Sequence, residues 1–358
     1  MQRLLRRRPV VGMALLSSAA TAIGWAISLS IDWFPVEAST ASKRIDHLWD
    51  ILLIASVPVF VLVMSVALYS VFAFRVKPGD MSDGAPIHGN TKLEVVWVTI
   101  PFVMVTALAL YGWVVLDDIE AKTKNPLIVD VTAQQFAWSF EYPGLGKVKS
   151  NQLVLPKDRR VEFRVNTKDV LHSFWVPQFR LKTDTVPGIT TKTRVTPNRL
   201  GGYDVVCTEL CGIGHSTMRQ AVRVVPPTEF ESWVAKKRKS SGDGGVAAAG
   251  GDMAAAGKTL FNDTGCKACH KLADAGSKTA AIGPPLDDLA EEAAKFGKKE
   301  GQSAEEYVRA SIEKPGAFVV PGFPKGTMPA SYKDQLSTKE IDTLVKYLLG
   351  VSKGKKVK

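Results

Sequence analysis

Long apolar runs dominate the first third of the chain, whereas short apolar stretches between polar residues fill the rest. The runs cover residues 9–29, 51–74 and 95–116, and the second and third contain no charged residue. A helix of about 20 apolar residues spans a bilayer, so these two runs predict a transmembrane hairpin within residues 32–125. Two helices buried in a soluble core are the weaker alternative, because such helices are rarely apolar over so long a run.

The first apolar run follows a short basic segment. Residues 1–8 contain four arginines, and the small residues Ser28 and Ser30 close the run. This arrangement is typical of a secretory signal peptide, but the run is also long enough to remain in the membrane. Residues 1–31 are therefore predicted to be either a signal peptide or an N-terminal membrane anchor.

The charge bias around the hairpin predicts its orientation. The loop at residues 75–94 carries Arg75, Lys77 and Lys92, whereas acidic residues precede the first span and follow the second. Loops rich in Lys and Arg stay in the cytoplasm. We therefore expect a multi-pass membrane protein, with everything after residue 117 on the extracytoplasmic side.

The region from residue 126 to residue 235 has the pattern of β-structure. Its strand-like segments alternate in polarity or are rich in β-branched residues, and Gly and Pro pairs separate them. The clearest segments are residues 126–133, 161–165, 192–196 and 220–225. Several short strands in about 100 residues predict a β-sandwich or a β-barrel.

A change of composition follows this region. Residues 236–256 are first charged and then rich in Ser, Gly and Ala, which predicts a flexible linker. Residues 257–358 contain helical patterns at 257–264, 304–312 and 338–349, separated by loops rich in Gly and Pro. This small α-helical domain is expected to need a cofactor, because its own core is small.

The charge of the chain favours membranes over nucleic acid. The 358 residues have a formal net charge of +11, and 46% of them are hydrophobic. Residues 1–8, 236–239 and 353–358 each hold four basic residues and no acidic one, so these clusters account for the whole excess. Basic segments beside apolar runs typically face anionic lipid or set topology, so no nucleic-acid partner is expected.

The last domain contains the motif Cys266-Lys-Ala-Cys269-His270. In an exported protein this motif is typical of covalent haem c, with two thioether bonds and the histidine as an axial iron ligand. A zinc site and a redox dithiol are the alternatives, but no further Cys or His follows, and a dithiol is expected in a βαβ unit. Met328 is the one downstream methionine and is predicted to be the second axial ligand. The segment resembles a class I cytochrome c, in which Gly283-Pro284 would orient the haem histidine.

The β-region carries a second constellation in Cys207, Cys211, His215 and Met218, with His172 upstream. Two thiols, two imidazoles and a thioether are soft to intermediate ligands, which suit copper. The second cysteine allows two thiolates to bridge two copper ions. Zinc is the main alternative, but a structural zinc site would leave Met218 idle.

These residues resemble the CuA domain of cytochrome c oxidase subunit II, and the fused haem domain resembles that of caa-type oxidases. The resemblance implies a multi-domain membrane protein with a transmembrane helical hairpin, a cupredoxin-like β-barrel and a C-terminal all-α cytochrome c domain. It implies a dinuclear copper centre held by the side chains of His172, Cys207, Cys211, His215 and Met218 and by the Glu209 carbonyl. The Glu209 carboxylate matches a position that binds Mg²⁺ or Mn²⁺ at the subunit I interface.

Three further positions are carried over from the family. Glu94 matches a glutamate at the mouth of a proton path, although an acid that stabilises a helix N-terminus is an equal alternative. Phe136 and Trp138 match an aromatic patch over the copper centre. A tryptophan usually occupies the place of Phe136 in enzymes that use soluble cytochrome c, so this difference favours electron donation by the tethered haem.

The resemblance implies an oxidoreductase subunit that passes electrons from haem c to CuA and on to subunit I, where O₂ is reduced. The expected partners are subunit I, the other oxidase subunits, the lipid membrane, and a cytochrome c or quinol–cytochrome c reductase as donor. Two alternatives remain open at this point: the small subunit of a CuA-containing nitric oxide reductase, and a membrane-tethered electron or copper carrier.

Overall fold

A computed structural model describes residues 9–75, 78–79, 81, 83, 86–242, 253–278, 282–328 and 332–352. The chain forms two compact units, residues 1–122 and residues 123–358.

The first unit consists of helices α1 (Pro9–Ser30), α2 (Thr40–Ala73) and α3 (Thr91–Glu120). All three are long and apolar enough to cross a membrane, and the apolar windows of α2 and α3 are not buried by the protein. The predicted hairpin is confirmed. Both hairpin helices are longer than their apolar runs, because polar residues continue each helix to a side-chain cap, at Ser39 for α2 and at Asn90 for α3.

The second unit begins with ten strands in two five-stranded sheets. Their order is β3-β2-β1-β5-β8 in one sheet and β4-β10-β9-β6-β7 in the other. The strands are β1 (Leu127–Gln134), β2 (Ala137–Tyr142), β3 (Val148–Ser150), β4 (Leu153–Pro156), β5 (Val161–Thr167), β6 (His172–Val176), β7 (Leu181–Thr185), β8 (Thr191–Val195), β9 (Gly201–Cys207) and β10 (Arg219–Val225). The four predicted strand segments correspond to β1, β5, β8 and β10.

The sheets bury their alternating apolar side chains against each other. The burial of β1 alternates along Leu127–Gln134, and Val129, Val131 and Ala133 are fully buried. Strand β1 pairs with β5 in parallel, and β4 pairs with β10 in parallel, whereas the other pairs are antiparallel. In the second sheet β9 lies between β10 and β6, which places the end of β9 beside the start of β6.

Helix α4 (Pro227–Gly242) follows the last strand and covers one end of the β-domain. Phe230 and Trp233 stack on each other, and Trp233 meets Tyr142 edge to face with ring centroids 5.3 Å apart. The predicted linker at 236–256 is therefore too long. Its basic residues continue α4, since Lys and Arg are good helix formers and favourable at a helix C-terminus, and residues 243–252 lie outside the described residues.

The C-terminal domain contains α5 (Met253–Asp263), α6 (Leu289–Lys299), α7 (Ala304–Glu313), α8 (Tyr332–Gln335) and α9 (Thr338–Val351). The predicted helical segments correspond to α5, α7 and α9. Helices α5 and α9 cross at Gly257, where any Cβ would overlap Tyr347. This close crossing holds the buried Phe261 and Leu344 in one core.

Candidate copper and haem sites

The copper-type side chains converge because two neighbouring strands and one loop carry them. Cys207 ends β9, the loop through Met218 leads into β10, and His172 begins the adjacent strand β6. The Cys207 N–H donates to the Met218 carbonyl at 3.1 Å and closes the loop. The Thr208 N–H donates to the Ser173 carbonyl at 3.1 Å and joins the loop to β6.

The donor atoms lie at the separations that a compact metal cluster requires. The Cys207 and Cys211 sulfurs are 3.9 Å apart. The Cys207 sulfur is 3.9 Å from His172 Nδ1 and 3.3 Å from the Glu209 carbonyl oxygen. The Cys211 sulfur is 3.5 Å from His215 Nδ1 and 3.8 Å from the Met218 sulfur. Each thiol therefore lies between an imidazole and one weaker donor, and the two thiols lie side by side.

Asp169 sets the orientation of the buried His172 ring. Its Oδ1 lies 2.8 Å from His172 Nε2, and its Oδ2 accepts a hydrogen bond of 2.7 Å from the Gln135 N–H. Burial lowers the pKa of His172, but the hydrogen bond to Asp169 and the nearby Cys207 outweigh it and raise the pKa overall. A proton held on Nε2 by the carboxylate leaves Nδ1 free to bind a metal.

The two thiols behave as one coupled pair. The interactions with the Cys211 thiol and with the His172 ring lower the pKa of Cys207. The same contact with Cys207, together with burial, raises the pKa of Cys211. A cationic metal would stabilise both thiolates, and Cys207 and Cys211 are free and almost fully buried. The donor set therefore fits copper, and His172, Cys207 and Cys211 form a metal-type cluster.

The haem motif lines a large apolar cavity of the helical domain. The cavity has an empty volume of about 1230 Å³ including its open mouth. Cys266, Cys269 and His270 lie on its wall, and Met328 also lines it. Neither cysteine is in a disulfide, and burial raises the pKa of both thiols, to about 11 for Cys266. An apolar cavity that joins two free thiols, an imidazole and a thioether fits haem c.

His270 is held as a neutral imidazole. Its Nδ1 lies 2.8 Å from the Pro284 carbonyl oxygen, which accepts a hydrogen bond from the ring and leaves Nε2 free to bind a metal. Burial lowers the pKa of His270, which favours the uncharged ring. A Cβ at Gly283 would lie 2.7 Å from the ring, so only glycine lets the loop approach so closely.

The structure brings the two sites together at Phe136. The Phe136 ring lies against the loop between Cys207 and Met218, which we call the copper loop. A Cβ at Gly214 would overlap the ring, and a Cβ at Gly212 would lie 3.2 Å from the Phe136 Cζ. On the haem side, a Cβ at Gly265 would lie 3.3 Å from the Phe136 carbonyl oxygen. Gly265 directly precedes Cys266 and begins the segment through His270, which we call the haem attachment loop. Phe136 therefore touches both the copper loop and the haem attachment loop.

An electrostatic interaction also links the two domains near Asp169. Burial raises the pKa of Tyr332, which lines the haem cavity, and the negative charge of Asp169 raises it further. The carboxylate that orients His172 is therefore an electrostatic neighbour of the haem cavity. The sequence pattern had not singled out Asp169, Gln135 or Gly265. The only signal for Asp169 was its position three residues before a candidate ligand.

The other predicted site residues have different surroundings. Trp138 is fully buried, with its ring centroid 6.2 Å from that of His172. The Glu209 side chain is exposed although its carbonyl faces Cys207. Glu94 lies in the first turn of α3 and accepts a hydrogen bond of 3.2 Å from the Asn90 N–H. This contact is the helix-capping role that was the alternative for Glu94.

A membrane hairpin, a cupredoxin-like domain with a two-thiol metal loop and a c-type haem domain define a membrane-anchored electron-transfer protein. Residues 25–115 match the family described as the transmembrane domain of cytochrome c oxidase subunit II, residues 145–225 its periplasmic domain, and residues 254–352 cytochrome c. The chain is 32% identical over 248 residues to cytochrome c oxidase subunit 2 of Synechocystis, covering 56% of this chain and 74% of that protein. The chain therefore belongs to the cytochrome c oxidase subunit II family.

Two other proteins are similar to parts of the chain. Cytochrome c oxidase subunit 2 of Alkalihalophilus pseudofirmus is 29% identical over 307 residues, covering 83% of this chain and 85% of that protein. A solved periplasmic domain of subunit II from Bradyrhizobium japonicum is 32% identical, with a TM-score of 0.32, covering 33% of this chain and 97% of that one.

Family membership confirms several predictions made from the sequence. The protein is an oxidoreductase subunit of a haem–copper oxidase complex that contains subunit I, and it passes electrons from its haem domain to its copper domain. Its cofactors include CuA copper and haem. It is a multi-pass protein of the plasma membrane, with its two cofactor domains outside the cytoplasm.

Proposed function

We propose that this subunit passes electrons along a route fixed by its own side chains, from the haem cavity through Phe136 to the copper loop and then to subunit I. Bound haem and bound copper supply the chemistry, since each takes up and releases an electron without a bond being broken. The proposed copper ligands are His172, Cys207, Cys211, His215, Met218 and the Glu209 carbonyl. Cys266 and Cys269 would bind the haem covalently, and His270 and Met328 would bind its iron.

The contact at Phe136 is the observation that carries this proposal. Phe136 is 6% exposed and is therefore almost fully buried at the junction. Its backbone approaches Gly265, where an added Cβ would lie 3.3 Å from the Phe136 carbonyl oxygen, and its ring approaches Gly214, where an added Cβ would overlap the ring. Haem attachment loop, phenyl ring and copper loop therefore form one continuous packed path.

The residues around each cofactor hold the ligands rather than react. Asp169 fixes the tautomer of His172, and Pro284 does the same for His270. Little movement of the protein is then needed when an electron arrives. Rigid ligands of this kind favour fast electron transfer.

The remaining roles are proposed from the family resemblance. The exposed Glu209 carboxylate is available for Mg²⁺ or Mn²⁺ at the interface with subunit I. Glu94 is proposed to lie at the mouth of a proton path as well as capping α3. The electron donor would be a cytochrome c or a quinol–cytochrome c reductase, and lipid would surround α1, α2 and α3.

The proposed division of the chain follows the same resemblance. Residues 1–31 would be a signal peptide or anchor, residues 32–125 the membrane hairpin, and residues 126–235 the copper domain. The cytochrome c domain would then occupy residues 257–358, with α5 adding a few residues at its start. The matched family segments and the bounds of β1 and α5 support this division.

Substitution of Phe136 tests the route. In the assembled oxidase, Phe136→Leu should slow reduction of the copper centre by haem c several-fold, because a smaller side chain leaves a gap in the packed path. Copper and haem content should not change. The matched control is Phe179→Leu, a buried phenyl group that packs on Tyr203 within the β-domain. An unchanged rate in Phe136→Leu, measured by flash-induced absorbance, would remove Phe136 from the route.

A further inference from the structure

A second cavity opens between the copper domain and the haem domain, beside Phe136 and Gly265. Its empty volume is about 900 Å³ including open solvent. Thr217, Arg219 and Gln220 line it from the copper domain, and Asn262, Lys267 and Lys278 line it from the haem domain. We call this cavity the interdomain cleft.

The interdomain cleft carries concentrated positive charge. Arg219, Lys267 and Lys278 all lie on its wall, and none of its described lining residues is acidic. Asp263 lies near Lys267 and offsets part of its charge. No carboxylate among the described residues forms an ion pair with Arg219 or Lys278. Like charges that domain contact brings to the wall of one cleft repel each other.

The polar groups of the cleft are held in place. Gln220 is buried at 8% exposure, at the start of strand β10. Ser277 also lines the cleft. Its Oγ lies 3.0 Å from the Lys267 carbonyl oxygen and 2.7 Å from the His270 carbonyl oxygen, and either carbonyl can accept the hydroxyl hydrogen bond. The segment that carries Lys267 and Lys278 is therefore tied to the backbone of the haem ligand. A ligand in the cleft would lie between residues of both domains.

We propose that the interdomain cleft binds a multivalent oxyanion of the phosphate class, held by Arg219 from one domain and by Lys267 and Lys278 from the other. Arginine binds such oxyanions through two parallel hydrogen bonds, and lysine binds them as a point charge. The three cations can be neutralised together only when the two domains touch. The anion therefore binds the docked arrangement and stabilises it, by linkage.

This inference rests on the proposed function, because docking matters for activity only if electrons cross at Phe136. The oxyanion is either a free phosphate compound or the headgroup of an anionic lipid, since both present the same chemistry. Either source would couple the rate of electron input to the anion content of the surroundings. The sites for copper and haem do not change in this process.

Binding is tested first, on the detergent-solubilised oxidase complex. Calorimetric titration with pyrophosphate should show saturable binding at one site per chain. Arg219→Gln and Lys278→Gln should each weaken it by about tenfold or more, whereas Lys182→Gln, an exposed lysine on β7, should not. Binding that follows ionic strength alone, or that is unchanged in both cleft variants, overturns the proposal.

Electron transfer from haem c to copper is then measured with pyrophosphate or chloride at equal ionic strength. The rate should rise several-fold with pyrophosphate in the unmodified complex and stay constant in Arg219→Gln. Vesicles containing phosphatidylglycerol form the second arm, and a response to them but not to pyrophosphate assigns the same site to a lipid headgroup. A third outcome separates the two proposals. If pyrophosphate binds saturably without changing the electron-transfer rate, and Phe136→Leu also leaves that rate unchanged, the anion site is supported and the proposed route is contradicted.

Discussion

At the scale of single residues, the copper-type site depends on a carboxylate that binds no metal. Asp169 is half-buried. One of its carboxylate oxygens contacts the His172 ring, and the other accepts a hydrogen bond from the Gln135 N–H. Burial raises the pKa of Asp169, but these hydrogen bonds outweigh it and lower the pKa overall. A charged acceptor is therefore present at neutral pH, and it fixes which nitrogen of His172 faces the two sulfurs.

Asp169→Asn should keep the fold but loosen this ligand. The amide is nearly the same size, yet its weaker acceptor no longer holds the His172 ring in one tautomer. We expect copper affinity to fall about 10- to 100-fold, as is usual when the partner of a ligating histidine is changed. Competition with a copper chelator measures the affinity, and electron paramagnetic resonance monitors the two-copper signal. Asp184→Asn, which alters the acceptor of the Ser173 hydroxyl, is the matched control, and equal affinities in the two variants would contradict this role.

Asp263 gives the haem domain a dependence on pH. Burial raises its pKa to about 6 from an ordinary value of 3.8, against the opposing charges of Lys237 and Lys267. Between about pH 4 and pH 6 the folded chain therefore holds a proton that the unfolded chain has lost. The free energy of unfolding falls as pH rises through this window.

Asp263→Asn should remove that fall and stabilise the haem domain at pH 7. The shift sets an upper limit of about 3 kcal/mol for the gain. The hydrogen bond with Asn151 can be kept by the new amide. Thermal unfolding followed by haem absorbance, at several pH values in the full chain, measures the effect. Asp204→Asn removes an exposed carboxylate of β9 as control, and parallel pH profiles for Asp263→Asn and the unmodified chain would disprove this effect.

At the scale of elements, glycines let the loops of the two domains touch. Gly265 begins the haem attachment loop with a φ of +82°, and an added Cβ would lie 3.1 Å from the Ala137 Cβ. Gly212 has a φ of +127° in the copper loop, where an added Cβ would press on Phe136. Both loops therefore need glycine for conformation and for contact.

A comparison of Gly265→Ala with Gly276→Ala should separate the effect of backbone conformation from the effect of the interdomain contact. Both positions have a positive φ, but Gly276 has no atom within 4 Å of an added Cβ. Each variant carries a conformational cost of about 1 kcal/mol, whereas only Gly265→Ala pushes the domains apart. We expect slower electron transfer from haem to copper in Gly265→Ala alone, with normal copper and haem content. Equal rates in the two variants would show that the contact does not matter.

At the scale of the whole molecule, the haem domain and the copper domain belong to one chain, so electron transfer between them requires no association of two separate proteins. The tether raises the effective concentration of the haem at the copper domain, so transfer need not wait for diffusion. A soluble docking site then becomes unnecessary, and Phe136 in place of the usual tryptophan agrees with this.

Deletion of residues 240–358 should leave the copper site intact but nearly stop oxygen uptake with the native donor. Added soluble cytochrome c should restore activity poorly, and Phe136→Trp in the shortened chain should improve the restoration. The measurement is oxygen consumption by the whole complex at low and moderate salt. Full activity of the shortened protein with soluble cytochrome c would make the haem domain an accessory.

The local features of this molecule could be predicted from its sequence. Charge-free runs long enough to span a bilayer predicted α2 and α3, alternating residues predicted β1 and β5, and Cys266-Lys-Ala-Cys269-His270 carried the haem chemistry in five consecutive residues. Such features follow from helix length, strand pleat and covalent spacing, which neighbouring residues alone specify. The copper-type donor residues could also be predicted, because their chemical types are unusual together.

Only the tertiary structure decided which distant residues support the sites. Asp169 faces His172, Phe136 joins Gly214 to Gly265, and the two domains share a basic cleft. None of these contacts has a sequence spacing of its own, since they depend on how two sheets and a helical domain stack. The extent of α4 was decided in the same way, because the packing of Phe230 and Trp233 on the β-domain anchors a helix whose polar end resembles a linker.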